Sequence, residues 1–239
     1  MIILQELCVG CGRCQPFCPA RAIRYDGLKS AVDQEACLEC GACLRAAECP
    51  VDAIAQPPSA YEFPREVRGY FSDPVSKHVS TGIAGRGTEE SKSNDVTLRC
   101  GPGDVGLAIE IGRPSLGTTM FEVQKVTRAL ARAGIHKVEP NNPLYSLLAD
   151  RETGDLKPEL LRERVISAII EIKVKPEQLR GVLKTLKEVA KEVDTVLCID
   201  VCTVLEPGLT IPAGVLEGMR AEGLTWWPNA KINMGLGRV

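Results

Sequence analysis

Two groups of closely spaced cysteines constrain this chain more than any other feature. The first group, CVGCGRCQPFCP at 8–19, holds four cysteines, and the second, CLECGACLRAAECP at 37–50, repeats their order with two more residues before its last cysteine. Eight of the eleven cysteines therefore fall within the first 49 residues. In a chain without an export signal, such clustering indicates metal ligation rather than disulfide bonding.

The spacing within the first group is that of bacterial iron–sulfur proteins. Cys8, Cys11 and Cys14 are three residues apart, and Cys18 with Pro19 completes the run C-x2-C-x2-C-x3-C-P. In such a run three thiolates hold one cubane cluster and the fourth reaches the other cluster. Zinc is the alternative, because paired C-x2-C motifs also form four-cysteine zinc sites. The repeated order with both prolines favours iron–sulfur clusters.

Residues 1–56 resemble the bacterial-type ferredoxins with two [4Fe–4S] clusters, both in these motifs and in the matching stretches CPARAIRY at 18–25 and CPVDAIAQ at 49–56. The resemblance covers less than a quarter of the chain. It implies two loop–helix–strand halves, two [4Fe–4S] clusters as cofactors, and low reduction potentials of the kind used in anaerobic metabolism. It also implies that one cluster takes Cys8, Cys11, Cys14 and Cys49, and that the other takes Cys37, Cys40, Cys43 and Cys18.

The second motif departs from the family pattern by placing five residues, Leu44 to Glu48, where the family has three. We expect the insertion to form an extra partial helical turn and Cys49 to remain a ligand, because loop insertions cost little free energy. Altered backbone hydrogen bonds near the sulfurs should make the two clusters inequivalent. Residues 22–33 predict a β-hairpin that turns at Asp26-Gly27 and covers one cluster.

Between residues 57 and 95 the periodicity is lost, and Pro, Gly and Ser are frequent. This composition predicts a linker or extended segment, although the four aromatic residues between Tyr61 and Phe71 are expected to dock against something. Three glycines of the stretch TGIAGRG are candidates for an anion-binding or cofactor-binding loop: Gly82, Gly85 and Gly87. A plain loop is the competing interpretation, because the stretch lacks a Walker lysine and no clear strand precedes it.

Regular periodicity returns over residues 96–208 and predicts the order strand–helix–strand twice. Alternating apolar residues predict strands at 106–112, from Val138, at 166–174 and at 195–205. Helical spacing and a capping box predict helices at 119–134 and 176–192. The order is that of a ferredoxin-like βαββαβ plait, so the predicted fold class is α+β. Residues 209–239, with Trp226 and Trp227, form a C-terminal tail.

The helices of a plait cover one face of its sheet and leave the other open. Alternation along the strands places six polar or sulfur-bearing residues on the open face: Glu110, Glu171, Lys173, Cys198, Asp200 and Cys202. Cys198 and Cys202 are about 13 Å apart if they lie on one strand, so we do not expect them to share a metal ion, and we expect Cys100 to be a small buried hydrophobic residue. The ferredoxin module, the tail or a second copy of the chain should cover this face, the last giving a homo-oligomer.

Charge and hydropathy exclude several classes of partner. The chain has 29 Lys and Arg against 31 Asp and Glu, with a net charge of −2 and no basic run, so no nucleic-acid partner is expected. No apolar run approaches the roughly 18 residues of a membrane span. The first residues, MIILQELC, lack the basic start and apolar length of a secretory signal. A cytoplasmic location is therefore expected.

The predicted function is electron transfer, by a ferredoxin-like subunit that passes single electrons through two clusters to a catalytic oxidoreductase subunit. The long extension after residue 56 and the small net charge favour a permanent partner over a freely diffusing carrier. The alternative is a redox- or ligand-sensing regulatory protein in which the plait binds a small molecule at GPGDVG, 101–106. A self-contained enzyme is the least favoured, because the common catalytic motifs are missing and no catalytic residue is assigned.

Overall fold

The fold is taken from a computed structural model that describes residues 1–77, 82, 100–113 and 117–226. Residues 78–81 and 83–95 of the segment predicted as a linker, including Gly85 and Gly87, lie outside the described residues, and so does Trp227.

Short strands and tight turns make up the N-terminal module. It contains strands β1 (Ile2–Ile3), β2 (Ile23–Tyr25), β3 (Ser30–Val32) and β4 (Ile54–Ala55) and helix α1 (Ala42–Ala46). The first strand pairs with the fourth and the second with the third, all antiparallel. This arrangement gives the two similar halves that the resemblance implies, and the cysteines of both halves share one small apolar core.

The predicted hairpin over residues 22–33 is confirmed by the pairing of β2 with β3. Its turn is closed by Asp26, whose Oδ1 accepts hydrogen bonds from the backbone N–H groups of Leu28 and Lys29, both at 2.8 Å. Gly27 follows in the left-handed region with φ 98°, which a side chain would disfavour. Both residues of the Asp-Gly pair therefore suit this turn, the aspartate as hydrogen-bond acceptor and the glycine through its positive φ.

Residues 57–77, predicted as part of a linker, instead form a structured joint. A 3-10 turn at Pro58–Tyr61 precedes helix α2 (Glu66–Ser72). Val67 and Phe71 of this helix are 0% and 3% exposed and belong to the core of the second domain. The docking predicted for the aromatic residues therefore holds for Phe71, whereas Tyr61 and Phe63 near the start of the segment are exposed.

The second domain is built on a three-stranded antiparallel sheet. Its strands are β5 (Val105–Ile111), β10 (Ala168–Val174) and β11 (Leu197–Thr203), with β5 in the centre. Four shorter strands lie between them in sequence: β6 (Thr118–Thr119), β7 (Leu148–Asp150), β8 (Asp155–Leu156) and β9 (Arg164–Val165). The β6 strand pairs with β9, and β7 with β8. The mixture of such strands with helices agrees with an α+β class.

The second strand expected for a plait, from Val138, is reduced in the described residues to one β-bridge between Val138 and Ile172. The position is right, because this bridge lies on the side of β10 away from β5. The sequence EPNNP explains why no ladder follows, since Pro140 and Pro143 have no backbone N–H to donate. A side-chain hydrogen bond occurs in place of a backbone one: Asn142 Nδ2 donates to the backbone oxygen of Ile169 at 2.9 Å. Within the described residues the sheet therefore has three strands, and the predicted fourth is a single β-bridge.

Two helices cover the sheet on one face. Helix α3 (Met120–Arg132) begins at Thr119, whose side chain accepts a hydrogen bond from the backbone N–H of Glu122, and ends before Gly134 at φ 79°. Helix α4 (Pro176–Val189) buries five apolar residues at helical spacing: Leu179, Val182, Leu183, Leu186 and Val189. Both helices are confirmed, including the predicted capping of α3.

Within the described part of the tail, residues 209–226, one helix packs on the helical layer. Helix α5 (Ala213–Ala221) buries Val215 and Met219, and a side chain at Gly218 would meet Leu179 at 3.2 Å. The glycine therefore permits close approach of α5 to α4. Trp226 remains 38% exposed, with the guanidinium of Arg220 5.6 Å from its ring centre.

The face of the sheet predicted to be open is partly covered, with buried residues on β5 and β10 and exposed residues on β10 and β11. Alternation of side chains is as predicted, with Glu110 and Cys198 opposite each other on this face. Glu110 and Glu171 are nevertheless 8% and 4% exposed, and they accept hydrogen bonds from Ser167 and Asn142. The exposed residues on this face are Cys198 and Asp200 of the edge strand β11 and Lys173 of β10.

Candidate iron–sulfur site

The eight cysteines of the repeated motifs line two cavities in the module. The first cavity is lined by Cys8, Cys11, Cys14 and Cys49. The second is lined by Cys18, Cys37, Cys40 and Cys43. Each cavity thus combines three cysteines of one motif with the last cysteine of the other, which is the grouping that the resemblance implies. The ligation itself stays a prediction.

The cysteine loops turn tightly because several of their residues adopt left-handed backbone conformations. Gly12 and Gly41 hold equivalent places in the two motifs, with φ 69° and 67°. Gly10 is also left-handed, and a side chain there would collide with the backbone oxygen of Leu28 in the hairpin turn. The hairpin therefore packs directly on the first loop, as predicted, and only glycine permits that contact.

The second loop replaces this contact with an ion pair. Glu39, which holds the place of Gly10, is left-handed at φ 53° and only 1% exposed. Its carboxylate accepts hydrogen bonds from Arg65 Nε at 3.0 Å and Nη2 at 2.6 Å. Arg65 precedes helix α2, so the joint between the domains holds the second loop in place. The two sites therefore have different surroundings, which supports the expectation of inequivalent clusters.

The two cysteines that precede prolines accept equivalent hydrogen bonds. The backbone N–H of Ala22 donates to Cys18 Sγ at 3.1 Å, and that of Ala53 donates to Cys49 Sγ at 3.3 Å. Backbone donors directed at sulfur stabilise its thiolate form, which is the form that binds a metal. The symmetry of the repeat is thus retained at Cys18 and Cys49, which each line the cavity formed by the other motif.

Burial opposes ionisation of the remaining thiols. It raises the pKa of Cys14 and of Cys40, and it raises the pKa of Cys43 to about 11, with further contributions from the neighbouring Cys40, Cys37 and Cys18. Grouped thiols with raised pKa values become thiolates when a coordinated cation supplies the balancing charge. The chemistry of this donor set therefore fits an iron–sulfur cluster.

A buried hydroxyl gives a second test of fit at the first cavity. Ser30 is 1% exposed and lines that cavity. Its hydroxyl interacts with Cys14 and lowers the pKa of that thiol, although its Oγ makes no hydrogen bond of standard geometry within the described part of the chain, and buried hydroxyls normally have a partner. A thiolate or sulfide of a bound cluster provides the acceptor that this hydroxyl needs.

The two inserted residues of the second motif lengthen a helix. In the first motif the chain between Cys14 and Cys18 forms a 3-10 turn at Gln15–Phe17, whereas in the second it forms the five-residue helix α1. The expected extra helical turn is confirmed. Because Cys49 still lines the first cavity, the insertion changes the path of the chain without withdrawing this cysteine.

The spacing of the cysteines does not suit a single ion. Among residues 1–77, 82, 100–113 and 117–226, no group of three His, Cys, Asp or Glu side chains is placed to hold one metal ion. A four-cysteine zinc site requires all four sulfurs at about 2.3 Å from one ion.

A buried arginine that the sequence did not single out connects the second site to the second domain. Arg68 on α2 is 3% exposed and donates to the backbone oxygens of Gln34 at 2.9 Å and Cys37 at 2.6 Å. Its Nε also forms an ion pair with Glu163 of the second domain. The only sequence signal was the position of Arg68 between residues of an apolar helix face, Val67 and Phe71, where a charge needs a partner.

The two sites differ in their access to solvent. Cys11 of the first site is exposed, whereas Cys37 and Cys43 of the second are buried. Val9, which lines the first cavity, is 62% exposed, and Leu28 on the neighbouring hairpin turn is 80% exposed. Exposed apolar side chains therefore adjoin the first site, whereas the four cysteines of the second site are buried or half-buried.

The glycine-rich stretch is not brought to either site within the described residues. Gly82 adopts φ 66°, and an added side chain would meet nothing within 4 Å. The proposed role of Gly82, Gly85 and Gly87 as an anion- or cofactor-binding loop stays a prediction, since two of the three lie outside the described residues.

Comparison with known proteins identifies the module. Residues 1–50 match the family model described as a 4Fe-4S dicluster domain. A stretch of 47 residues is 49% identical to a protein of Methanosarcina acetivorans that is named as a subunit of the ion-translocating oxidoreductase complex, covering 20% of this chain and 17% of that relative. The chain thus matches well under two thirds of the relative's length. No solved structure matches the chain. The module is therefore a dicluster domain for two [4Fe–4S] clusters.

Proposed function

We propose that this chain is an electron-transfer protein that serves as the ferredoxin-like subunit of a multi-subunit oxidoreductase. The observation that carries the proposal is the pair of cavities in the dicluster domain, each lined by three cysteines of one motif and one of the other. Each [4Fe–4S] cluster supplies one-electron chemistry when bound. The proposed ligands are Cys8, Cys11, Cys14 and Cys49 for the first cluster and Cys18, Cys37, Cys40 and Cys43 for the second.

The residues of the chain hold the two sites together and set their surroundings apart. Cys18 and Cys49 each belong to the motif of one half and line the cavity of the other, so the two sites are tied within one small core. Backbone donors, burial and nearby charge are the means by which a protein adjusts cluster potentials. The Glu39–Arg65 pair and Arg68 lie only at the second loop, which gives the two sites different potentials.

The partner is proposed to dock at the first site. The exposed Cys11 lies there, and two further exposed apolar side chains stand near the mouth, Val9 and Leu28. Apolar side chains at the centre of a contact, with little charge, are typical of protein interfaces. Electrons then enter or leave through the first site, while the second site, next to α2, lies farther from the partner.

Ion pairs that attach the module to the rest of the chain support the proposal that this protein is a permanent subunit of a complex. Arg45 of the module lies 3.0 Å from Asp73 after α2, and Arg68 joins the second loop to Glu163. The matched relative is named as part of an oxidoreductase complex. We propose the same kind of context here, with a catalytic oxidoreductase subunit as the redox partner and a role in anaerobic metabolism.

The second domain is proposed to be a plait that has lost most of its second strand, and its role is to dock the module to the partner. Within the described residues, the loop that the regulatory alternative requires is closed by its own contacts, because Asp104 accepts hydrogen bonds from Gly101 N–H at 3.0 Å and Lys175 Nζ at 2.7 Å. None of the helices in the described residues has the length and apolar character needed to cross a bilayer. Cytoplasmic location and a homo-oligomer formed through the open face of the sheet stay predictions.

The first test is anaerobic purification of the tagged protein from its own host, with identification of every chain that co-elutes in fixed ratio. A co-eluting subunit that carries another redox cofactor, and that reduces or oxidises the two clusters on addition of its substrate, supports the proposal. A chain that elutes alone, with clusters that no co-purified protein reduces, contradicts the subunit role.

The docking site is tested with charged substitutions. Val9→Glu together with Leu28→Glu should slow electron transfer with the purified partner while leaving the iron content unchanged, because a buried unpaired charge opposes association. Leu209→Glu, at a residue of the tail that is 60% exposed, is the matched control. Equal rates for both variants would place the partner elsewhere.

A further inference from the structure

Two cysteines outside the dicluster module lie side by side in the second domain. Cys100 and Cys202 are 102 positions apart in sequence, yet their sulfur atoms are 3.7 Å apart. Cys100 is buried, 7% exposed, and Cys202 is partly exposed on the edge strand β11. The sequence predicted Cys100 to be a small buried hydrophobic residue and did not connect it with Cys202.

A tight turn brings Cys100 to this position. The turn GPGD at 101–104 has Gly103 at φ 76° and is closed by a hydrogen bond from Asp104 N–H to the backbone oxygen of Gly101 at 3.0 Å. The side chain of Thr203, next to Cys202, donates to the backbone oxygen of Asp104 at 3.1 Å. The turn is therefore fastened to β11 beside the second cysteine.

A glycine in the central strand makes room for both sulfur atoms. Gly106 of β5 pairs with Cys202. A Cβ atom at Gly106 would lie 2.8 Å from Cys100 Sγ and 3.0 Å from Cys202 Sγ, closer than such atoms approach. Glycine weakens the middle of a strand, and its presence there often marks close approach of another group. Here the approaching groups are the two sulfurs.

We propose that Cys100 and Cys202 form a reversible disulfide, a redox-modification site separate from the iron–sulfur clusters. The sulfurs need only move from 3.7 Å to about 2.05 Å. Disulfides in reducing compartments are usually transient and redox-sensing, and a half-exposed thiol beside a buried one suits that behaviour. The bond would join the turn before β5 to the edge strand β11.

The oxidant is a low-molecular-weight disulfide. The Cys202 thiolate attacks one sulfur of that disulfide, forms a mixed disulfide and releases one small thiol. The Cys100 thiolate then attacks the Cys202 sulfur, forms the Cys100–Cys202 bond and releases the second small thiol. The two protein thiols lose two protons and two electrons, and the small disulfide gains both and becomes two thiols.

The test exposes the cluster-loaded full chain, without oxygen, to oxidised glutathione at increasing ratios to reduced glutathione. Remaining thiols are alkylated, and intact and peptide masses are measured. The expected result is the loss of two alkylatable thiols and a cross-linked peptide pair that contains Cys100 and Cys202, reversed by added thiol. Cys198→Ser, on the same strand and face, is the matched control and should form the same cross-link.

Two variants keep the proposal open to refutation. Cys100→Ser should stop at a glutathione adduct on Cys202, because the second thiol is missing, and Gly106→Ala should slow the cross-link by separating the sulfurs. A parent protein that yields only glutathione adducts overturns the proposal. A cross-link that involves Cys198, or one that Gly106→Ala leaves unchanged, overturns it equally.

Discussion

Replacing Arg68 with methionine should destabilise the protein more than any comparable change at the surface. The guanidinium is 3% exposed, and it holds the backbone oxygen of Cys37 at 2.6 Å and the carboxylate of Glu163. Methionine keeps much of the apolar stem but leaves that carboxylate buried, with its side chain 11% exposed. Removing one partner of a buried ion pair costs about 3–5 kcal/mol, a large part of the roughly 5–15 kcal/mol that stabilises a typical domain.

The measurement is anaerobic denaturant unfolding followed by the visible absorbance of the clusters and by far-ultraviolet circular dichroism. The first probe reports the module and the second mainly the helices of the second domain. Both should shift in Arg68→Met, because Arg68 contacts both parts. Adding Glu163→Gln removes the unpaired charge and should restore about 1–3 kcal/mol, the usual coupling of contacting residues.

Arg180→Met is the matched control. Arg180 forms an ion pair with Glu222 at 3.1 Å, but its side chain is 67% exposed, so the loss should not exceed about 1 kcal/mol. If Arg68→Met costs no more than Arg180→Met, or if Glu163→Gln restores nothing, the buried pair is not what holds the module to the second domain.

Three further predictions concern the sites and the joint. Gly10→Ala should prevent assembly of the first cluster, because its side chain meets a backbone oxygen of the hairpin turn. Gly27→Ala has open space around it and should add only backbone strain of about 1–3 kcal/mol; equal iron content in both variants would contradict this. Cys49→Ala should remove the first cluster and Cys18→Ala the second, each reducing iron from about eight to about four atoms per chain, and electron paramagnetic resonance of the remaining cluster should differ between them; identical spectra would refute the crossed ligation. Burial, with the hydrogen bond and charge of Glu66, raises the pKa of Tyr70 from 10.0 to about 12. Its contribution to stability is therefore complete below pH 10 and lost as the pH rises to about 12, and a late step in the tyrosinate absorbance should vanish in Tyr70→Phe.

The elements that followed from the sequence are those whose causes are local. The spacing of the cysteines, the Asp26-Gly27 turn, the cap at Thr119 and the apolar face of α4 each depend on residues a few positions apart. The second strand of the plait was overestimated because Pro140 and Pro143 acted against an apolar start at Val138. The segment after residue 57 was predicted as a linker because the apolar face of α2 is short, and the core residues that it contacts lie from Val105 onward.

The sequence by itself determined that the first 50 residues carry two [4Fe–4S] clusters, because cluster ligation depends on the identity of the thiols and their spacing along the chain. Tertiary structure decided which residues surround those clusters. Arg68 reaches the second loop and Glu163 together, and Cys100 meets Cys202 across 102 positions. Such contacts join residues that no local pattern relates, since they depend on how the strands and helices are packed. Burial then affects the pKa of each ionisable group, because desolvation and nearby partners determine the free energy of its charged form.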